Sequence, residues 1–154
     1  EPVSIAFSIS FSSIYLIVAI AAAQHTGKKT ADLCYLIDVF PTLCDMLQLP
    51  VPQSVDGISL LSSLDGKEPV RDYLYYSYMD NQRGISDGTW KLIEYHVNGK
   101  RTTQLFNLKN DPWERNDLSG QKKYEKTIQR LREKMAEEQK RTNDTSVFWN
   151  NFNY

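Results

Sequence analysis

Two Asp/Asn-Gly pairs, Asp87-Gly88 and Asn98-Gly99, punctuate the middle of the chain. Both central residues of a type I′ turn need φ > 0, so each pair is a hairpin signal. Between them, residues 89–97 carry Trp90, Leu92, Ile93, Tyr95 and Val97. Beyond the second pair, residues 102–108 carry Thr102, Thr103, Leu105 and Phe106. The tyrosine-dense stretch 71–79 favours a further strand, since aromatic side chains suit a pleated, half-buried surface. Strands separated by tight turns predict an antiparallel meander. A single apolar stripe then follows at helical spacing: Tyr124, Ile128, Leu131 and Met135. It predicts a long helix over 121–142 with one buried side. Its other positions are Lys, Arg, Glu and Gln, with Glu137 and Arg141 at the i,i+4 spacing of a favourable pair.

Upstream the pattern is shorter in range. Residues 33–37 read as a buried strand. Asp38 then serves as a helix N-cap and Pro41 falls in the first turn, where its missing N–H does no harm. The helix spans 39–47, with Leu43, Met46 and Leu47 as its apolar face, and Pro50 and Pro52 end it. One or two helical turns are expected within 58–64. Residues 2–24 carry no charge. Their first half alternates as a strand would, and residues 14–23 form a continuous apolar run. Three readings stay open there: an apolar segment associating with a membrane, a buried strand with its following run, and the remnant of a secretory signal. Residues 143–154, with Phe148, Trp149, Phe152 and Tyr154, read as a tail docking on apolar surface.

The fold class these elements predict is α+β. A small antiparallel sheet of about four strands carries one long amphipathic helix. Four regions follow: 1–30 as an apolar leader, 31–70 as a helical segment with a loop-like linker, 71–142 as the sheet-and-helix subdomain, and 143–154 as the tail.

The order of short motifs carries a family resemblance. Leu105-Phe106-Asn107-Leu108, Asp111-Pro112, Glu114 and Asp117-Leu118 resemble the C-terminal subdomain of the sulfatases, where a strand reading LYDL runs into DP.E..NL and a closing helix. Asn107 stands where Asp is common, and Asp117 where Asn is common. Residues 36–43, Leu-Ile-Asp-Val-Phe-Pro-Thr-Leu, resemble the family's hhDhhPTL segment. Asp56-Gly57-Ile58-Ser59-Leu60-Leu61 resembles its DG.SLL, and Trp90-Lys91-Leu92-Ile93 its aromatic-Lys strand. The four pieces occur in the family's order over roughly residues 31–140.

The resemblance implies that residues 31–70 are a remnant of the end of an α/β catalytic domain with its linker, and it implies the chemistry of sulfate-ester hydrolysis. In that family the nucleophile is a formylglycine made from Cys or Ser in a C/S-x-P/A-x-R motif, and a calcium ion neutralises sulfate charge. This chain has 2 cysteines. Cys34 is followed by Tyr35-Leu36-Ile37-Asp38 and Cys44 by Asp45-Met46-Leu47-Gln48, so neither lies in the motif. Each is read as a small buried hydrophobe. No calcium ligand set is expected here. Asp80-Asn81 lies downstream of the Pro-Thr segment, where the family has no metal pair, and no partner cluster of oxygens accompanies it. His25 and His96 are isolated from any nucleophile or carboxylate that would make either a base. A net charge of −1 gives no electrostatic footprint for nucleic acid.

The remaining chemical candidate is the bend 77–83, with Tyr78, Asp80 and Arg83 as substrate-binding residues. A planar guanidinium suits a sulfate oxyanion, and the polar side chains suit sugar hydroxyls. The plainer reading pairs Arg83 with an acid on a solvent-facing strand. The function expected is therefore that of a sulfatase C-terminal part: a scaffold that closes the pocket and does not catalyse alone. The alternative is a self-standing carbohydrate- or protein-binding module. Expected partners are the catalytic half of a sulfatase, or a substitute apolar surface, and a sulfated carbohydrate. The family implies a periplasmic or secreted location.

Overall fold

The computed structural model of the protein describes Gly27 and residues 29–146. The apolar leader, His25 and the aromatic tail from residue 147 lie outside the described residues. The chain divides into two compact units at the Val70–Arg71 boundary.

In the second unit four strands form one antiparallel sheet in the order β1-β2-β3-β4. They are β1 (Leu74–Tyr78), β2 (Gln82–Ser86), β3 (Trp90–Val97) and β4 (Lys100–Asn107). The fold is α+β, as the meander pattern predicts. The register places Tyr75 opposite Ile85, Ile85 opposite Leu92, and Leu92 opposite Leu105. One face of the sheet thus carries a row of apolar side chains. A 3-10 turn (Lys122–Tyr124) leads into α3 (Glu125–Arg141), whose Ile128, Leu131 and Met135 are buried against that row. Tyr124 completes the stripe by packing on Trp90, ring centroids 5.2 Å apart. Ile85, Leu92, Leu105 and Leu131 are inaccessible to solvent. Each such side chain contributes about 1.5–3 kcal/mol through burial.

The turns obey different rules. Asn98 and Gly99 both take positive φ, 52° and 75°, as a type I′ turn requires. The other connection is longer than its Asp-Gly pair suggests. Only Gly88 has positive φ there, and the Asp87 carboxylate accepts from the Thr89 and Trp90 N–H groups. Asp87 acts as a side-chain cap, so the strands join through three residues.

In the first unit the elements are α1 (Val39–Met46) and the single turn α2 (Leu61–Leu64), preceded by a 3-10 turn over Leu36–Asp38. The strand expected over 33–37 is absent. Leu36 is 89% exposed, and the chain turns because the Asp38 carboxylate accepts the Tyr35 N–H at 2.6 Å. A strand needs a neighbour for its ladder bonds, and no described residue pairs here. The face of α1 is also rotated from the expected one. Pro41, Thr42 and Cys44 are buried, while Leu43 is exposed. Cys44 is the buried hydrophobe expected, but Cys34 is exposed. On α3, Arg141 pairs with Glu138 at 2.6 Å, and Glu137 takes Lys134 at 2.7 Å.

Candidate functional site

The bend between β1 and β2 presents Tyr78, Met79, Asp80 and Asn81, all exposed. Met79 lies in the left-handed region at φ 45°, uncommon for a residue other than glycine. The Asn81 N–H closes the bend on the Tyr78 carbonyl at 3.3 Å, and the Asn81 carbonyl accepts the His96 N–H of β3.

Arg83 is differently placed. It lies on an interior strand, on the sheet face covered by α3, and its side chain is only 3% exposed. Its Nε donates to Asp144 Oδ2 at 2.6 Å and its Nη2 to Asp144 Oδ1 at 3.0 Å. Its Nη1 donates to the Met79 and Gln82 carbonyls. The Tyr75 hydroxyl donates to the same Asp144 carboxylate at 2.7 Å. Burial pushes the Tyr75 hydroxyl well above its ordinary value, and Asp144 adds to that. Burial also works against the Asp144 charge, but the hydrogen bonds from Arg83 and Tyr75 outweigh it and hold the carboxyl below the usual carboxylate range. The bend thus brings Tyr78 and Asp80 to the surface together, while Arg83 binds the bend from beneath. Asp144 was not legible in the sequence. The available signal was only that an Arg on a central strand demands an acid, and many acids were on offer.

The motifs that carry the family resemblance form two clasps. In the second unit, Asp117 Oδ1 accepts from Leu105 N–H at 3.0 Å and Ser119 N–H at 2.9 Å, and Leu118 N–H donates to the Leu105 carbonyl. Asp111 Oδ2 accepts from Arg115 and Asn116 N–H, both at 2.8 Å. Glu114 receives Lys91 Nζ on both oxygens, at 2.8 and 2.9 Å. The aromatic-Lys strand and the DP.E segment are therefore two ends of one contact. In the first unit, Asp38 is inaccessible and Oδ1 accepts the Ile58 N–H at 2.9 Å. Thr42 Oγ1 donates to the Asp38 carbonyl and accepts the Leu60 N–H. A Cβ built on Gly57 would sit 2.8 Å from the Ile37 carbonyl carbon and closer still to its oxygen, so only glycine lets the two segments meet.

A third polar cluster lies under α3. Glu94, 1% exposed, accepts from Thr103 Oγ1 and from Arg132 Nε, both at 2.7 Å. Burial pushes its carboxyl up, against the bonds from Thr103 and Arg132. An open groove of about 520 Å³ lies beside this cluster, lined by Ser119, Lys126, Gln129 and Arg132 among others.

Calcium needs six or more oxygen ligands. Among the described residues no group of three or more His, Cys, Asp and Glu side chains is placed to hold a metal ion. No described helix is long and apolar enough to cross a membrane.

Comparison with known proteins places this architecture. A family model described as N-sulphoglucosamine sulphohydrolase, C-terminal, matches residues 6–141. The N-acetylglucosamine-6-O-sulfatase of Bacteroides thetaiotaomicron is 28% identical over 141 residues, 84% of this chain and 25% of that protein. The arylsulfatase of Clostridium perfringens is 28% identical over 116 residues, 73% of this chain and 24% of that protein. A solved structure of a protein in complex with its substrate D-glucosamine-2-N,6-O-disulfate matches with a TM-score of 0.59 and 28% identity, covering 72% of this chain and 25% of that one. The chain spans about a quarter of the length of the curated relatives it matches. Sequence, clasps and sheet agree, and the chain belongs to the N-sulphoglucosamine sulphohydrolase C-terminal family, the C-terminal region of sulfatases of the alkaline-phosphatase-like superfamily.

Proposed function

We propose that this chain acts as the scaffold and pocket-closing subdomain of a sulfatase that hydrolyses sulfate esters on carbohydrates, and that catalysis resides in sequence outside the matched quarter. The observation that carries this reading is the pair of clasps. They place the family's motif residues in structural roles, at Asp38, Thr42, Asp111, Glu114 and Asp117. Each of these groups is engaged with a backbone N–H or, for Glu114, with Lys91. Neither Cys34 nor Cys44 lies in a formylglycine motif. Calcium and formylglycine belong to the intact family and would supply charge neutralisation and the attacking oxygen from the catalytic part. The first unit supports a partner of that kind, because Leu36, Ile37, Val39, Phe40 and Leu43 leave apolar surface open. The Tyr78 and Asp80 side chains are the groups we assign to substrate contact, with Arg83 holding their bend. A sulfated sugar offers hydroxyls to both.

The test is a graft. The C-terminal quarter of the Bacteroides N-acetylglucosamine-6-O-sulfatase is replaced by this chain, and sulfate release from a sulfated glucosamine is measured. The chain alone should give no turnover, with or without calcium, whereas the graft should restore it. A folded, calcium-loaded graft that is inert would overturn the reading. So would turnover by the chain alone that survives replacement of both cysteines by Ala.

A further inference from the structure

Asp144 lies three residues beyond the end of α3, and it is bonded to β1 and β2 on the sheet face that α3 covers. The helix ends at Arg141, and Asn143 takes a left-handed conformation, φ 53°. Such a residue turns the chain sharply back after a helix. The bend is fixed by three further bonds: Gln139 Nε2 donates to the Asp144 and Ser146 carbonyls, and the Ser146 N–H donates to Asp144 Oδ1. The carboxylate is thereby held where it meets Arg83 in a two-point contact. The guanidinium Nη1 then donates to the Met79 and Gln82 carbonyls, at the β1–β2 bend. Met79, at the centre of this arrangement, sits in an uncommon backbone conformation that surrounding contacts must maintain.

We infer that Asp144 is a positioning residue: through Arg83 it sets the conformation of the β1–β2 bend and hence the placement of Tyr78 and Asp80 toward a sulfated sugar. The part concerning the sugar rests on the substrate contact proposed above; the part concerning the bend stands on geometry alone. The chain of contacts runs Asp144, Arg83, Met79 carbonyl. Removing the first charge takes away the two-point contact that holds the guanidinium, and a buried charge that loses such a contact moves toward water or another acceptor. Its bonds to the bend go with it. Tyr75 shares the carboxylate and meets Arg83, whereas the donors to the Met79 and Gln82 carbonyls belong to Arg83. Removing its hydroxyl should leave the bend intact.

The experiment uses the full 154-residue chain and two readouts. The first is amide hydrogen exchange at Asn81, whose N–H closes the bend. In Asp144→Asn, exchange at Asn81 should quicken by roughly tenfold or more, the equivalent of one charge-assisted hydrogen bond, while Leu92 in the core keeps its protection. Arg83→Lys should reproduce the effect, because an ammonium cannot serve both oxygens and both carbonyls at once. Tyr75→Phe should not. The second readout is titration with D-glucosamine-2-N,6-O-disulfate, followed by chemical shifts of Tyr78 and Asp80. Wild-type exchange at Asn81 in both Asp144→Asn and Arg83→Lys would overturn the positioning role. Quickened exchange in those variants, with no sugar-induced shift in the wild type, would keep that role and remove the substrate contact. Uniform loss of protection, Leu92 included, would show Asp144 to be a general stability residue and would also overturn the inference.

Discussion

The sheet-and-helix unit and the segment before it bury opposite kinds of side chain. In residues 71–146 the inaccessible positions are chiefly apolar, with Ile85, Leu92, Leu105 and Leu131 forming one cluster under α3. In residues 29–70 the buried set is largely polar, Asp38, Thr42 and Ser63 beside Pro41 and Cys44, while Leu36 and Phe40 stand 89% and 52% exposed. The first arrangement is held by removal of apolar area from water, which needs no particular partner geometry. The second is held by a few side-chain bonds to backbone N–H groups, which fail singly. The lesson concerns what a family motif means. Asp38 and Thr42 carry the family's hhDhhPTL motif, and both serve the backbone.

The largest test of this contrast is core truncation. Leu131→Ala should destabilise the sheet unit by about 2–5 kcal/mol, the usual range for emptying a buried leucine site. Leu43→Ala, on the open side of α1, should stay within about 0.5 kcal/mol. Thermal unfolding followed by circular dichroism measures both, and equal losses would erase the distinction between the two regions.

Next in size is Asp38→Ala. It removes the carboxylate that accepts the part-buried Tyr35 and Ile58 N–H groups, and a hydrogen bond to a charged group is worth about 1.5–3 kcal/mol. Amide exchange at Ile58 and Leu60 should accelerate while Leu92 remains protected. Loss of protection throughout would mean that the polar clasp also supports the sheet.

A pH titration separates the polar contributions within the second unit. Asp144 and Asp87 are both held below the usual carboxylate range. In each, burial pushes upward and is outweighed by hydrogen bonds: from Arg83 and Tyr75 at Asp144, and from Trp90, Arg130 and Thr89 at Asp87. A lowered folded value means that the stability is fully present above the unfolded value, about 3.9 for Asp, and is lost as pH falls through the folded one. Glu94 has the opposite sign, since burial raises its folded value, so acid protonates it with little penalty. The melting temperature should therefore drop on acidification below about pH 4, and Asp144→Asn with Asp87→Asn should flatten that limb. An unchanged acid limb in the double variant would place the acid sensitivity elsewhere.

The smallest effect belongs to Arg141→Ala. Its pair with Glu138 spans one helical turn at the surface, with the Arg side chain 61% exposed. Such pairs contribute between about 0 and 1 kcal/mol, and the change in melting temperature should be near the limit of measurement. A larger loss would mean that the end of α3, which leads to Asp144, is more tightly coupled to the sheet than its exposure suggests.

The meander, the long helix and its stripe were determined by the sequence alone. Period-2 and period-3.6 patterns, with Gly at Asn98-Gly99, dictate local geometry whatever the rest of the chain does. The family was legible for a different reason: its motif residues recur in a recognisable order, although their bonds run from near neighbours, Asp111 to residues 115 and 116, to Ile58, 20 residues from Asp38. Tertiary structure decided the rest. The strand expected over 33–37 did not form, because apolar character does not provide a ladder partner. The face of α1 turned away from Leu43, because Asp38 and Thr42 had N–H groups of residues 58 and 60 to satisfy. Arg83 went inward because Asp144, 61 residues later in the chain, met it under the sheet. No local pattern announces a pairing over that distance, and only the packing of α3 on β2 brings the two charges together.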